Sequence, residues 1–462
     1  MVAAAPSVTV ISGCAIATVD PSGSEHASGH LVLEGGRITA VGSGPAPESL
    51  RQRADRWVDG TGMLATPGLV NTHHHLYQWI TRGYAQDDTL FGWLTSLYPV
   101  WAGIDEETVE ASAAANLGWM ALSGCTLSTD HHYVFPRAGG DVLGATITAA
   151  RTIGLRFHPT RGSMDLGVAA GGLPPESVVE STDVALAATA AAIERWHDPS
   201  PDSMLQIAVA PCSPFSVTRE LMTGAAQIAR AGGARMHTHL CETLDEEAFC
   251  LEKYGRKPGE YVEDLGWLGP DVWFAHVVWP TPQDIARFAS TGTAVAHCPT
   301  SNARLGSGIA PVADMLAAGV PVGLGVDGSA SNESGRMDEE LHQALLVGRL
   351  RGGSTSMSAR RVLSMATMGG ARVLGRQDDL GSLEVGKLAD IALWRVDGVS
   401  GIDIADPVCT LVFGTRSPLE LLLVGGQPVV ENGQLVRADI ADLARRSGAA
   451  SATLAARAGL SR

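Results

Sequence analysis

Eight short apolar runs, separated by longer Ala-rich stretches, restrict this chain more than any other feature of its sequence. The first is Gly68–Gln78, which ends in a cluster of imidazoles. The others are Thr126–His131, Leu155–Thr160, Leu205–Cys212, Arg235–Leu240, Val272–His276, Ala294–Cys298 and Val320–Asp327. Each has the character of a buried strand, and intervening stretches such as Asp183–Trp196 have the composition of outer helices. Strands that alternate with helices build a parallel sheet, and eight of them are the count of a closed (β/α)8 barrel of the TIM type, an α/β fold. An open doubly wound sheet would use the same alternation. The barrel is favoured because nearly every run ends in a polar, chemically capable residue, as expected where the carboxyl ends of the strands form the working face.

Short β-type runs flank this region on both sides. Val8–Ile11, His30–Leu33, Arg37–Val41 and Arg56–Val58 come first, with turn signals at Gly35-Gly36 and Asp59-Gly60. Asp390–Trp394, Leu419–Val424 and Pro428–Val430 follow the barrel, ahead of Asn432-Gly433. The first set reads as a small antiparallel sheet whose edges need partners, so the two termini are expected to pair into one composite β-sandwich domain. The predicted organisation is residues 1–67 and 379–438 in the sandwich, 68–378 in the barrel and 439–462 as an Ala/Arg-rich C-terminal helix. That helix suits a surface or oligomer contact, and a homo-oligomer is expected.

The imidazoles define the chemistry. On a strand, His73 and His75 point to one side and His74 to the other, which makes a two-armed metal clamp. A metal site needs three or four ligands. The fifth run supplies His237-Thr-His-Leu-Cys-Glu242, where one of His237 and His239 is enough to complete the clamp. Glu242 falls where the strand turns into its loop, and a carboxylate there can shuttle protons for an activated water. His276 ends the sixth run and Asp327 the eighth. Alone, each has a bland reading, since an Asp before Gly328 can simply open a turn. Their weight lies in recurrence at equivalent strand ends.

Charge narrows the partners. A net charge of −16, from 33 basic and 49 acidic residues, argues against a nucleic-acid backbone or an anionic membrane surface. A small neutral substrate is expected. The seven cysteines are scattered without a Cys-x-x-Cys pair and read as reduced thiols of a cytoplasmic protein. Met1–Pro6 carries no basic leader, and no apolar run is long enough to span a bilayer.

His-x-His on the first strand, His-x-x-Glu on the fifth, His on the sixth and Asp on the eighth, in a barrel flanked by a split β-sandwich, resemble the amidohydrolase superfamily. Pro67-Gly-Leu-Val-Asn-x-His-x-His75, His237–Thr243, His297-Cys-Pro-x-Ser-Asn302, Gly325–Gly328 and Leu383–Ile391 are similar to its cytosine, guanine and triazine aminohydrolase branch, over essentially the whole chain. The resemblance implies that His73, His75, His239 and Asp327 hold one divalent metal ion, with zinc as the natural choice. Superfamily members that bridge two metals use a carbamylated lysine on the fourth strand. None of Lys253, Lys257 and Lys387 lies on an expected strand, so a mononuclear site is expected. The implied reaction is hydrolytic deamination by metal-activated water. Asp327 carries the water proton to the departing amine, Glu242 protonates a ring nitrogen, and His276 orients the water and stabilises developing charge.

Tyr77, Gln78, Trp79, Trp93, Tyr98 and Trp101 crowd the loop after the first strand in a chain that is only 5% aromatic, so the loop offers both a lid and packing residues. Asn71–Gln78, Asp130–Tyr133, Arg161–Asp165 and Pro211–Val217 are similar to branch members that deaminate an oxidised purine. This implies 8-oxoguanine as the base, converted to urate and ammonia, with Gln78, Trp101 and Cys212 contacting it. Isocytosine or guanine deamination, or displacement of an amine or chloride from an s-triazine, would use the same attack. A non-catalytic assembly role is disfavoured, because every ligand position, Glu242 and His276 are present. No basic cluster marks a nucleotide pocket, so a free base is expected.

Overall fold

The computed structural model describes residues 7–414 and 416–460. The reading of Met1–Pro6 made from the sequence falls outside them. Eight parallel strands close into a barrel. They are β1 (Leu69–Asn71), β2 (Cys125–His132), β3 (Arg156–Ser163), β4 (Ala208–Pro211), β5 (Arg235–Leu240), β6 (Val272–His276), β7 (Ala294–His297) and β8 (Val322–Leu324). Almost every residue of these strands is buried, because helices cover the outside and side chains fill the inside. The amino-terminal end is plugged by Val70, Leu127, Trp273, Ala294, Val373 and Leu374.

The first strand is shorter than its apolar run suggests. It ends at Asn71, and Leu76–Thr81 forms a 3-10 turn. Closure onto β8 rests on Leu324 opposite Asn71, with the backbone N–H and hydroxyl of Thr72 both donating to the Leu324 carbonyl at 2.9 and 2.8 Å. The Asn71 side chain extends the seam, donating to Ser128 Oγ and accepting from Val326 N–H at 3.0 Å each. The histidines that follow are thus placed by side-chain bonds where the ladder has run out.

The two termini pair into one nine-stranded sheet. Met63–Pro67, which the sequence did not mark as a strand, is its joint. It runs antiparallel to Ile391–Arg395 and parallel to Val8–Ala17. Arg56–Asp59 also runs parallel to Val8–Ala17, so the sheet is mixed and not purely antiparallel as its hairpin-like turns suggested. Ile11, Leu31, Ile38, Leu393 and Leu421 form its core. The helix Ile440–Arg457 lies along the barrel helix Glu106–Ala121. Among the described residues, no helix is long and apolar enough to cross a membrane.

A buried ion pair fastens the sheet to the barrel. Arg156, the first residue of β3, donates from Nε and Nη2 to the two carboxylate oxygens of Asp390 at 2.8 and 3.1 Å. Asp390 also accepts the Gly425 N–H at 2.7 Å. Removing one member of a buried pair leaves the other charge unpaired, so Asp390→Ala is expected to cost about 3 kcal/mol or more, read as a lowered melting temperature. An unchanged melting curve would show that the pair is not a structural joint.

A candidate metal centre and active site

The functional side chains gather where the barrel strands end. His73 and His75 follow β1, His239 is in β5, His276 closes β6, and Asp327 follows β8. Cys241, His276, Val277 and Asp327 have φ of 54°, 71°, 46° and 63°, left-handed values that cost non-glycine residues energy. Backbone bonds hold these turns, among them Asp327 N–H to the His73 carbonyl at 3.1 Å and Val277 N–H to the Leu240 carbonyl at 3.1 Å.

Hydrogen bonds fix the imidazole tautomers. Nδ1 of His75 lies 2.6 Å from the His131 carbonyl, and Nδ1 of His239 lies 2.6 Å from the Cys212 carbonyl. A carbonyl only accepts, so both protons are on Nδ1 and both Nε2 atoms are lone pairs. His237 Nδ1 faces the Trp273 carbonyl at 2.9 Å, which leaves its Nε2 to accept from His73 Nδ1 at 2.8 Å. His73 Nε2 is therefore also a bare lone pair, buried and without a hydrogen-bond partner. Yet Nε2 of His73 and of His75 each lie 3.2 Å from Asp327 Oδ1, and Nε2 of His75 and His239 are 3.2 Å apart. Four electron-rich atoms crowded in this way repel one another unless a cation lies among them. Their identities are those of a divalent-metal donor set, so the residues present fit such an ion.

Electrostatics favour the ligand-ready forms. Burial lowers the pKa of His73 and His239 well below the usual imidazole value, keeping them neutral. Asp327 is anchored by Gly328 N–H at 2.6 Å and by the hydroxyls of Ser301 and Ser331 at 2.5 and 3.1 Å. His276 Nδ1 donates to Asn302 Oδ1 at 3.0 Å, turning Nε2 toward Glu242 (3.6 Å) and Asp327 (3.9 Å). Glu242 is pushed up to about 8, first by burial and then by the Asp327 charge, which favours its acid form. Its backbone is fixed by buried Glu246, which accepts the N–H groups of Cys241 and Glu242 at 2.9 and 2.8 Å.

Beside these groups lies a cavity of about 350 Å³, walled by Leu90, Trp93, Tyr133, Cys212 and Phe215 among others. Gln78 also lines it, and its buried amide has no hydrogen-bond partner at either end. Cys212 sits in the wall, and its carbonyl accepts from His239 Nδ1. Trp101 does not line the cavity. It stands behind Trp93, with ring centroids 5.3 Å apart, and spends its indole N–H on Thr81 Oγ1 at 3.1 Å. The supports His237, Ser301 and Asn302 were not assigned from sequence, although the last two belong to the quoted motif His297–Asn302. His131 also braces the centre, since its ring stacks on His239 at 4.7 Å. His132 turns to the Val134 carbonyl at 2.9 Å.

Comparison with known proteins agrees with this geometry. The amidohydrolase family model matches residues 64–429. The 8-oxoguanine deaminase of Pseudomonas aeruginosa is 43% identical over 433 residues, covering 93% of this chain and 96% of that protein. The hydroxydechloroatrazine ethylaminohydrolase of Pseudomonas sp. strain ADP is 37% identical, covering 84% of this chain and 82% of that protein. Among solved structures, the zinc-complexed atrazine chlorohydrolase TrzN of Arthrobacter aurescens TC1 superposes with a TM-score of 0.91 at 36% identity, over 96% of this chain and 100% of that one. A metal-dependent aminohydrolase by site and by kinship, the chain belongs to the amidohydrolase family.

Proposed function

We propose that the enzyme deaminates a free heterocyclic base, 8-oxoguanine before others, yielding urate and ammonia. The observation that carries this reading is one cavity holding both the carboxyl of Glu242 and the unpartnered amide of Gln78. An amide offers a donor and an acceptor side by side, which suits the edge of a purine. The 43% identity to an 8-oxoguanine deaminase supports the same choice of base.

His73, His75, His239 and Asp327 would hold one divalent ion, zinc in this reading. When bound, that ion supplies Lewis-acid activation of water at neutral pH. A single ion is supported by the lysines, since Lys253, Lys257 and Lys387 are engaged with Ala170, Glu247 and Gln377 and none lies in β4. Asp327, ionised, accepts the proton of the attacking water and passes it to the departing amine. His276 orients that water and stabilises the charge developing at the attacked carbon. Glu242 gives its proton to the adjacent ring nitrogen. A C–O bond forms, the C–N bond breaks, ammonia leaves, and the remaining hydroxyl proton returns to Glu242 as the carbonyl forms. Leu90, Trp93, Tyr133 and Phe215 exclude bulk water from the ring.

The test is ammonia release from metal-loaded enzyme offered 8-oxoguanine, guanine, isocytosine and aminotriazines. Turnover led by 8-oxoguanine supports the proposal, and a silent purine panel beside rapid triazine hydrolysis sinks it in favour of the chemistry of the triazine relatives. Gln78→Leu is expected to lower kcat/KM for the preferred base by about 10- to 100-fold, mainly through KM, because it strips hydrogen bonds from a buried edge. Unchanged kinetics would remove Gln78 from base recognition. The seven cysteines are all free thiols, which supports a cytoplasmic location. We also propose a homo-oligomer, to be read by light scattering.

A further inference from the structure

A second cavity, of about 720 Å³, lies at the amino-terminal end of the barrel strands, away from the catalytic mouth. His158, His197, Gln206, Arg235, Arg376 and Asp379 are among its lining residues. Arg235 opens β5 and His158 is near the start of β3, whereas the catalytic groups stand at the far ends of the strands.

The cavity has more proton donors than acceptors. Arg376 gives Nη2 to the Pro201 carbonyl at 2.6 Å and Nη1 to His158 Nε2 at 3.3 Å. Arginine only donates, so His158 accepts at Nε2 and carries its proton on Nδ1, for which the lining offers no carboxylate of its own. Asp379, the one acid of the lining, is taken by Arg376 at 3.3 Å. Arg235 bonds the Pro270 and Val373 carbonyls through Nη2 at 2.8 Å each, leaves Nε without a partner, and has no ion pair among the described residues. His197 Nδ1 accepts the Ile207 N–H at 3.1 Å, so its proton is on Nε2, which also lacks a partner. Burial, then the positive charges of Arg376 and Arg235, hold His158 far below the usual imidazole pKa. A chain of net charge −16 thus brings two guanidinium groups and two imidazoles, far apart in sequence, to one pocket, where Asp379 pairs with Arg376 and the charge of Asp271 reaches Arg235.

We propose that this cavity binds a phosphate-type oxyanion, either inorganic phosphate or the phosphoryl group of a small monoester. The guanidinium of Arg235, with Nε unpartnered, matches an oxygen of such an anion, and the imidazole N–H groups add neutral donors. The ligand would join β3 and β5 to Arg376, on the segment leading from the barrel to the C-terminal sheet. It would therefore stabilise the contact between barrel and sheet by mass action.

The test is calorimetric titration of the metal-loaded, full-length enzyme with inorganic phosphate and, in parallel, with glycerol phosphate. One saturable site per chain is expected, and Arg235→Gln and His197→Ala should each weaken it by about 10-fold or more. His197 is only half-buried, so its variant carries the test if Arg235→Gln fails to fold. A His239→Ala enzyme should keep the site, whereas loss of binding there would place the anion at the catalytic centre and overturn the proposal. Tighter binding of the monoester identifies an organic phosphate as the ligand class, and tighter binding of phosphate identifies the free anion. No saturable binding of either probe in the millimolar range, or undiminished affinity in both the Arg235 and His197 variants, overturns it as well.

Discussion

Glu242→Gln lowers kcat by about 10³-fold while fold, metal content and base affinity persist. The substitution keeps volume and hydrogen-bonding capacity but removes the transferable proton. Burial raises this carboxyl to about 8, so the acid form is present below that value and is lost as pH rises through it. A bound cation draws the value down, which moves the transition without changing its sign. The wild-type enzyme should thus lose kcat/KM on the alkaline side, and the residual activity of the variant should lack that limb. The measurement is a steady-state pH profile of both proteins with metal content checked. A variant with wild-type turnover would falsify the acid role.

Stripping the metal abolishes turnover, and adding zinc back restores it. Without a cation, three imidazole lone pairs and one carboxylate oxygen face each other at 3.2 Å, so the empty site is also expected to lower the melting temperature. His239→Ala should remove both activity and stoichiometric metal. His237→Phe tests the supporting layer. His237 fixes the proton of His73 on Nδ1, so losing that bond should weaken metal affinity by about 10- to 100-fold while leaving all four ligands in place. Chelator competition reads the affinity. Full activity in metal-free protein would end the metal hypothesis, and unchanged affinity in the His237 variant would end its positioning role.

The barrel was legible because its evidence is local. A buried strand needs a short apolar run, and a working rim needs polar residues at the same end of several runs. Both leave marks within a few residues, and Leu69–Asn71, Arg235–Leu240 and Val272–His276 fell where those marks are. Met63–Pro67 was missed because its strand character comes from neighbours on both sides, the far one over 300 residues away. Trp101 was misplaced because a dense aromatic stretch does not reveal which ring lines a wall and which stands behind it.

By itself, the sequence determined the alternation of strand and helix, the ring of imidazoles and carboxylates at the strand ends, and the lack of a lysine that could bridge a second metal. The first two follow from residue type and short spacing, and the third from the positions of the three lysines set beside the family resemblance. Only the tertiary structure decided which carbonyls orient the rings of His237 and His239, that Gln78 is left without a partner, and that Arg235 and Arg376 share a cavity with two histidines. The reason is physical. The direction of a lone pair depends on which carbonyl holds the opposite nitrogen, and Cys212 and Trp273 supply those carbonyls from other strands.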